Sequence, residues 1–287
     1  MNITAQMVKE LRDKTGAGMM DAKKALVEVD GDMEKATELL RQKGIASAEK
    51  KMGRIAAEGR VESFVSDNCG AMIEVNCETD FVAKNDEFKT LVSNMAKHVA
   101  ELNPENVEAF LASTCPDCGK VIEDALKEKI ASIGEKITVR RFVRYEGAVA
   151  SYIHNGKIGV LLNADNKDEE LMNDICLHIA SCAPKFVSRE EIPQEVIDEE
   201  TRIEMGKEDL LKKPENIRAK IVEGRVNKIM AEKCLLEQPF VKDPNMTIAQ
   251  LIEGKLSIKS FTRYELGEGL EKRQDNFAEE VMAQMNG

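Results

Sequence analysis

The pattern Phe-x-Arg-Tyr-Glu occurs twice in this chain, at 142–146 and at 261–265, and each occurrence closes a similar stretch. Before the first lie two alternating segments, 61–65 and 71–75, around turn residues 66–70. A helical pattern follows from about 85 to 102, with Phe88, Leu91, Val92, Met95 and Val99 at helical spacing. Before the second lie segments 151–154 and 158–162 around Asn155-Gly156, a pair suited to a tight hairpin turn. A helical pattern with Leu171, Ile175, Leu177, His178 and Ile179 comes next. A unit of hairpin, helix and strand used twice restricts the fold to a duplicated α/β core with antiparallel sheets.

The two copies differ in one place. With Asn76 matched to Asn163 and His98 to His178, the strand-to-helix path is 22 residues in the first copy and 15 in the second. The additional residues fall on ETDFVAKND at 78–86, where Phe81 and Val82 stand between charged neighbours. An apolar pair in a polar run reads either as a loop's anchor to its own core or as a contact held out for a partner. An elaboration that the twin copy lacks weakens the anchor reading, because the twin packs without it.

Residues 3–44 read as three short helices. Thr4 is an N-cap, Met7, Val8 and Leu11 form an apolar stripe, and Gly16 is a stop. The second helix begins near Met19 and Met20 and carries Ala22, Ala25, Leu26 and Val29; the third carries Ala36, Leu39 and Leu40 up to Gly44. Met19 and Met20 lie about 100° apart round a helix, so both cannot easily face a three-helix core; either one is buried and the other simply exposed, or they serve as adaptable contact residues. Residues 43–60 read as a connecting helix or linker. Within the second copy, 186–228 form an excursion that Pro214 divides into two helical stretches. Ile217, Ile221, Val222, Val226 and Ile229 share one side of the second stretch. A projecting hairpin is expected to expose that stripe, with a partner or a second subunit as its cover, and a homodimer through the hairpin is the expected form. Residues 268–287 read as an amphipathic helix with Phe277 and Val281.

The expected class is therefore α+β. Residues 1–54 form a three-helix module and linker, 55–146 a first core subdomain, and 147–185 with 229–265 a second. An inserted helical hairpin takes 186–228, and a carboxy-terminal helical module 266–287.

The 41 basic and 52 acidic residues leave a net charge of −11, and aromatic residues are 4% with no Trp. Phosphate backbones are held by clustered cations and bases by aromatic platforms, so direct nucleic-acid binding is not expected. No stretch nears the roughly 20 apolar residues of a membrane span, and the amino terminus lacks a signal-peptide core. Seven scattered cysteines do not form a disulfide framework, which fits a reducing cytoplasm.

Phosphate-loop, nucleophile-elbow and zinc-protease motifs are absent, and no carboxylate pair is marked out for acid–base work. His98 and His178 occupy matching positions of the repeat, which favours packing. Cys115-Pro-Asp-Cys118 has no second cysteine pair to complete a zinc site. Incidental thiols are the simplest reading, with a redox pair or a metal held between subunits left open. No cofactor and no covalent chemistry are expected.

The runs TGAGMMDAKKAL (15–26), VNCETDFVAKND (75–86), SYIHNGKIGVLL (151–162) and KIVEGRVNK (220–228) resemble bacterial elongation factor Ts. QPFVKDP (238–244) and YELGEGLEK (264–272) agree, and the likeness extends over essentially the whole chain. The resemblance implies a guanine-nucleotide exchange factor for elongation factor Tu, not an enzyme in the covalent sense. It also implies that the amino-terminal helices are similar to ubiquitin-associated domains. Thr79, Asp80, Phe81 and Val82 fall on the family's TDFV motif, associated with magnesium dislocation in the partner, with Phe81 as a wedge between two partner helices. Ile133 and Gly134 match a second contact near those helices, and His154 matches a contact with the partner's third domain. Lys9, Arg12, Met19, Met20 and Lys23 match contacts of the amino-terminal module. CPDC lies where the family varies. The rival readings are a scaffold whose three-helix module binds ubiquitin-like or peptide partners, and a thiol redox or zinc enzyme built on CPDC.

Overall fold

The computed structural model describes residues 3–211 and 214–271. The architecture is α+β, and the chain divides into two compact units. Of the described residues, the first unit takes those up to Glu62, Ile73–Phe142 and those from Glu265 on; the second takes Ser63–Met72 and Val143–Tyr264.

The first unit begins with helices α1 (Ala5–Thr15), α2 (Met19–Glu28) and α3 (Met33–Lys51). Thr4 caps α1 by accepting the Met7 N–H at 3.2 Å, and Gly16 ends it at φ +70°, a left-handed position natural to glycine. Asp32 caps α3 by accepting from Glu34 and Lys35 N–H groups. Val8, Leu11, Ala22, Ala25, Leu26 and Ala36 form the bundle's core. Helix α3 runs through Gly44 to Lys51, so the first half of the segment 43–60, expected as a connecting helix or linker, is helical and continues α3.

Strands β1 (Glu58–Val65) and β2 (Cys69–Cys77) follow, then α4 (Asp80–Lys84), α5 (Asp86–Leu102), α6 (Val107–Ala112), α7 (Ile122–Ile133) and β3 (Thr138–Glu146). The sheet order is β1-β2-β3. Helix α5 buries Phe88, Val92, Met95 and Val99. The Phe110 and Phe142 rings meet edge-on at 5.9 Å. Helix α3 packs on α7 closely enough that a Cβ at Gly44 would lie 3.0 Å from that of Ala131. Arg41 faces Asp124 and Glu128 across the same junction.

The second unit holds β4 (Ala148–His154), β5 (Ile158–Ala164), α8 (Glu169–Cys182), α9 (Gln194–Met205), α10 (Glu208–Leu211), α11 (Glu215–Lys233), β6 (Pro239–Phe240), β7 (Asp243–Thr247), α12 (Ile248–Ile252) and β8 (Ile258–Glu265). The order β4-β5-β8 repeats that of the first sheet, and β4 pairs antiparallel with β5. Asn76 and Asn163, each buried, donate to the backbone carbonyls of Glu58 and Glu146, one bond per copy. Val160, Leu162, Met172, Ile175, Ile179 and Phe240 pack at the centre of this unit's core.

The inserted hairpin corrects one expectation. Val222 and Val226 are buried, and together with Ile192, Leu210, Met230 and Cys234 they form a core of the hairpin's own. Ile221 and Ile229 are half-buried against it, as are Val196 and Ile197 of α9. Most of the stripe therefore needs no second subunit to cover it; Ile217, at 48% exposure, is the member left out. The expected terminal helix with Phe277 and Val281 lies outside the described residues.

Candidate partner-binding site

The ETDFVAKND run is a turn followed by one helical turn, not a loop. Strand β2 ends at Cys77; Thr79 then adopts an extended backbone and caps α4 by accepting the Val82 N–H at 3.3 Å. A threonine before three helix-compatible residues supplies that cap from local sequence alone. Asp80 and Lys84 pair across the helix at 2.6 Å. Asn85 ends α4 and starts α5, its side chain accepting from the Glu87 N–H at 2.8 Å.

A helix this short has three outcomes for its three central side chains. Ala83 is buried, Val82 is half-buried, and Phe81 is 82% exposed. Leaving a phenylalanine in water forgoes about 2 kcal/mol of burial. The structure thus separates the pair: Val82 supports the turn while Phe81 projects from it.

The turn is fixed from below by residues far away in sequence. One carboxylate oxygen of Glu135 accepts from the Glu78 and Thr79 N–H groups at 3.1 and 3.0 Å. The other accepts from the Thr79 hydroxyl at 2.6 Å. In return the Glu78 carboxylate accepts the Lys136 N–H at 2.6 Å and an Arg54 guanidinium N–H at 3.1 Å. Lys136 Nζ donates to the carbonyls of Met52 and Arg54 at 2.6 and 2.9 Å. Three segments, 52–54, 78–79 and 133–136, are stitched into one surface. The Cys77 thiol donates to the Thr79 carbonyl, and burial together with the nearby Glu135 charge pushes it up to about 12, so it stays a donor.

Ile133 and Gly134 stand on that surface as the last residue and the left-handed C-cap of α7, Ile133 half-buried and Gly134 exposed. The structure therefore brings two of the contacts expected from the resemblance, 79–82 and 133–134, onto one surface through Glu135. Sequence reading missed Glu135, whose bonds span 56 residues, and the exposed apolar side chains of Met52 and Ile55 on the stitched segment and its continuation. No local signal marks Glu135. The exposure of Met52 and Ile55 was hidden in a stretch that reads as a linker.

On the amino-terminal bundle, Lys9 and Arg12 are exposed on α1, and Met19, Met20 and Lys23 on the first turns of α2. Both methionines stay out of the bundle core, at 46% and 63% exposure. His154 ends β4 in the second unit, exposed, with the Tyr152 hydroxyl 3.1 Å from Nδ1 and the Asn155 amide 3.2 Å from Nε2.

The other histidines are buried. His178 accepts the Val241 N–H at Nδ1 and meets the Gln238 amide oxygen at 2.8 Å, which places its proton on Nε2. Burial lowers its pKa despite the Gln238 bond. His98 Nε2 lies 2.9 Å from Asp117 of CPDC. Among the described residues no three His, Cys, Asp or Glu side chains are placed to hold a metal ion. No helix of the described residues is long and apolar enough to cross a membrane.

A family model described as Elongation factor TS matches residues 78–268, which takes in the Phe81 turn, Glu135 and the inserted hairpin. The chain is 47% identical over 293 aligned residues to Elongation factor Ts of Alkalilimnicola ehrlichii, covering all of both chains. The doubled hairpin–helix–strand unit, the capped Phe81 turn and full-length identity at this level converge: the chain belongs to the elongation factor Ts family of translation elongation factors.

Proposed function

We propose that this chain is a guanine-nucleotide exchange factor that binds elongation factor Tu in its GDP form, promotes GDP release and stays bound until GTP enters. The observation that supports this best is Phe81, a large apolar side chain projecting from a turn that a cap and the Glu135 carboxylate hold rigid. An exchange factor needs no covalent step. It needs to bind the nucleotide-free partner more tightly than the GDP-bound one, and by linkage nucleotide binding then weakens by the same factor. Magnesium neutralises the nucleotide's phosphates, so displacing the partner residues that hold it removes a large electrostatic attraction. Phe81 inserts between two partner helices, with Thr79, Asp80 and Val82 framing it and Ile133 and Gly134 contacting beside it. Packed interiors rearrange in discrete steps, which suits a rigid wedge.

Lys9, Arg12, Met19, Met20 and Lys23 supply a second contact with the nucleotide domain, and His154 one with the partner's third domain. The action is cytoplasmic and involves neither nucleic acid nor membrane directly. Pairing of two copies through the inserted hairpin rests on what its own core leaves exposed: Ile203, Met205 and Ile217.

The test is release of a fluorescent GDP analogue from elongation factor Tu with and without the chain. Phe81→Ala is expected to slow stimulated release by roughly 5- to 150-fold, the usual size of a coupling between sites. Its melting temperature should stay near that of the parent protein. An unchanged release rate would remove the wedge.

A further inference from the structure

We propose that Cys115 and Cys118 form a reversible dithiol–disulfide site that exchanges with low-molecular-weight disulfides of the glutathione type. The site lies in the first unit, is not part of the exchange surface, and stands whether or not the chain exchanges nucleotide.

The loop that carries both cysteines is closed by main-chain bonds that do not involve sulfur. Cys115 N–H donates to the Lys120 carbonyl at 2.7 Å, and the Gly119 N–H donates to the Cys115 carbonyl at 2.9 Å. Gly119 makes the return at φ +68°, and Thr114 pairs with Val121 in an antiparallel bridge. Within this frame the Cys118 N–H donates to Cys115 Sγ at 3.3 Å, so the first sulfur already lies against the backbone of the second cysteine. Disulfide geometry is strict, and forming the bond requires that side-chain rotation within this closed frame bring the two sulfurs together.

The two thiols are unequal. Cys118 is exposed, and Cys115 is 8% exposed. Burial and the neighbouring Cys118 thiol raise the Cys115 pKa, which with its low exposure slows its attack on an external disulfide. Asp117, whose charge between the cysteines would disfavour thiolate formation, is engaged by His98 at 2.9 Å and Lys97 at 3.7 Å. Both cysteines line one cavity of about 520 Å³.

The order of events follows. Cys118 loses its proton to solvent and its thiolate attacks one sulfur of the small disulfide, forming a mixed disulfide and releasing one small thiolate. Cys115 then loses its proton, its sulfur attacks that of Cys118, and the second small thiolate leaves. Two protein thiols are oxidised to one disulfide, and one small disulfide is reduced to two thiols. Because the second attack is intramolecular, the mixed disulfide does not accumulate.

The experiment uses the full chain in oxidised glutathione, quenched with acid and an alkylating reagent, with the 115–118 peptide read by mass spectrometry. The expected product has lost two hydrogens, carries no glutathione, and returns to the dithiol on dilution into reduced glutathione. In Cys115→Ser the mixed disulfide on Cys118 is expected to persist, and in Cys118→Ser the Cys115 thiol to stay reduced. A parent protein that carries glutathione on Cys118 with Cys115 still alkylated, or that alkylates at both, would overturn the proposal.

Discussion

Phe81 and Phe88 stand seven residues apart at opposite extremes, 82% exposed and fully buried, and only their surroundings decide which of them can act on a partner. Truncating Phe88 removes core and costs about 3–5 kcal/mol of stability, whereas truncating Phe81 removes nothing that folding uses. What holds Phe81 in place is Glu135, which neutralises three donors of the 78–79 turn with one carboxylate. Hydrogen bonds to a charged acceptor contribute about 1.5–3 kcal/mol each when made. Glu135→Ala frees the turn and is expected to slow GDP release on the order of tenfold, one such bond's worth of preorganisation. Glu135→Gln keeps an acceptor oxygen for the two N–H groups and should recover most of the rate. If the alanine variant matches the parent rate, the carboxylate only supports the fold. The apolar pair could be read from nine consecutive residues; the Thr79 cap is equally local, but the helical periodicity starts near Asn85 and leaves it unmarked. Glu135 could not, because its partners are set by where β2 and α7 end in space and not by any spacing along the chain.

The repeat was legible at the level of elements because hairpin, helix and strand each carry a short-range period, and the same periods occur twice. The inserted hairpin shows the limit of that kind of reading. Ile221, Val222, Val226 and Ile229 form a genuine stripe on α11, but Val196 and Ile197 on α9 together with Ile192 and Leu210 answer it within the same excursion. A stripe in one helix states that a cover exists, not whose it is. Two substitutions separate the possibilities. Val226→Asp places a charge in the hairpin core and is expected to cost about 3 kcal/mol or more there, seen as faster amide exchange in α9 and α11. Ile217→Asp alters an already exposed side chain and should change stability by no more than about 0.5 kcal/mol. Sedimentation then decides pairing: if two copies associate through this face, Ile217→Asp dissociates them, and an identical profile for parent and variant speaks against that face.

At the scale of the whole molecule, one buried carboxylate joins parts of the chain that the sequence separates by 193 residues. Glu74 on β2 is fully buried and accepts from Arg140 at 2.9 Å, Arg141 at 2.6 Å and the Gly267 N–H at 2.8 Å. Burial alone pushes its carboxyl up, but the Gly267 N–H and the two guanidinium groups outweigh that and hold it below its ordinary value of 4.5. A depressed carboxyl binds its proton more weakly in the folded chain than in the unfolded one. Its contribution is therefore complete above about pH 4.5 and is lost as pH falls through the lower folded value. Removing one partner of a buried ion pair strands the others, at about 3 kcal/mol or more. Glu74→Gln is accordingly expected to melt well below the parent protein at pH 7, and to lose the part of the parent's acid sensitivity that this group supplies. Plotted against pH, the two melting temperatures should draw together as the medium becomes acidic. Parallel curves would mean that Glu74 is held by packing and not by its charge, and that the acid sensitivity of the fold originates elsewhere.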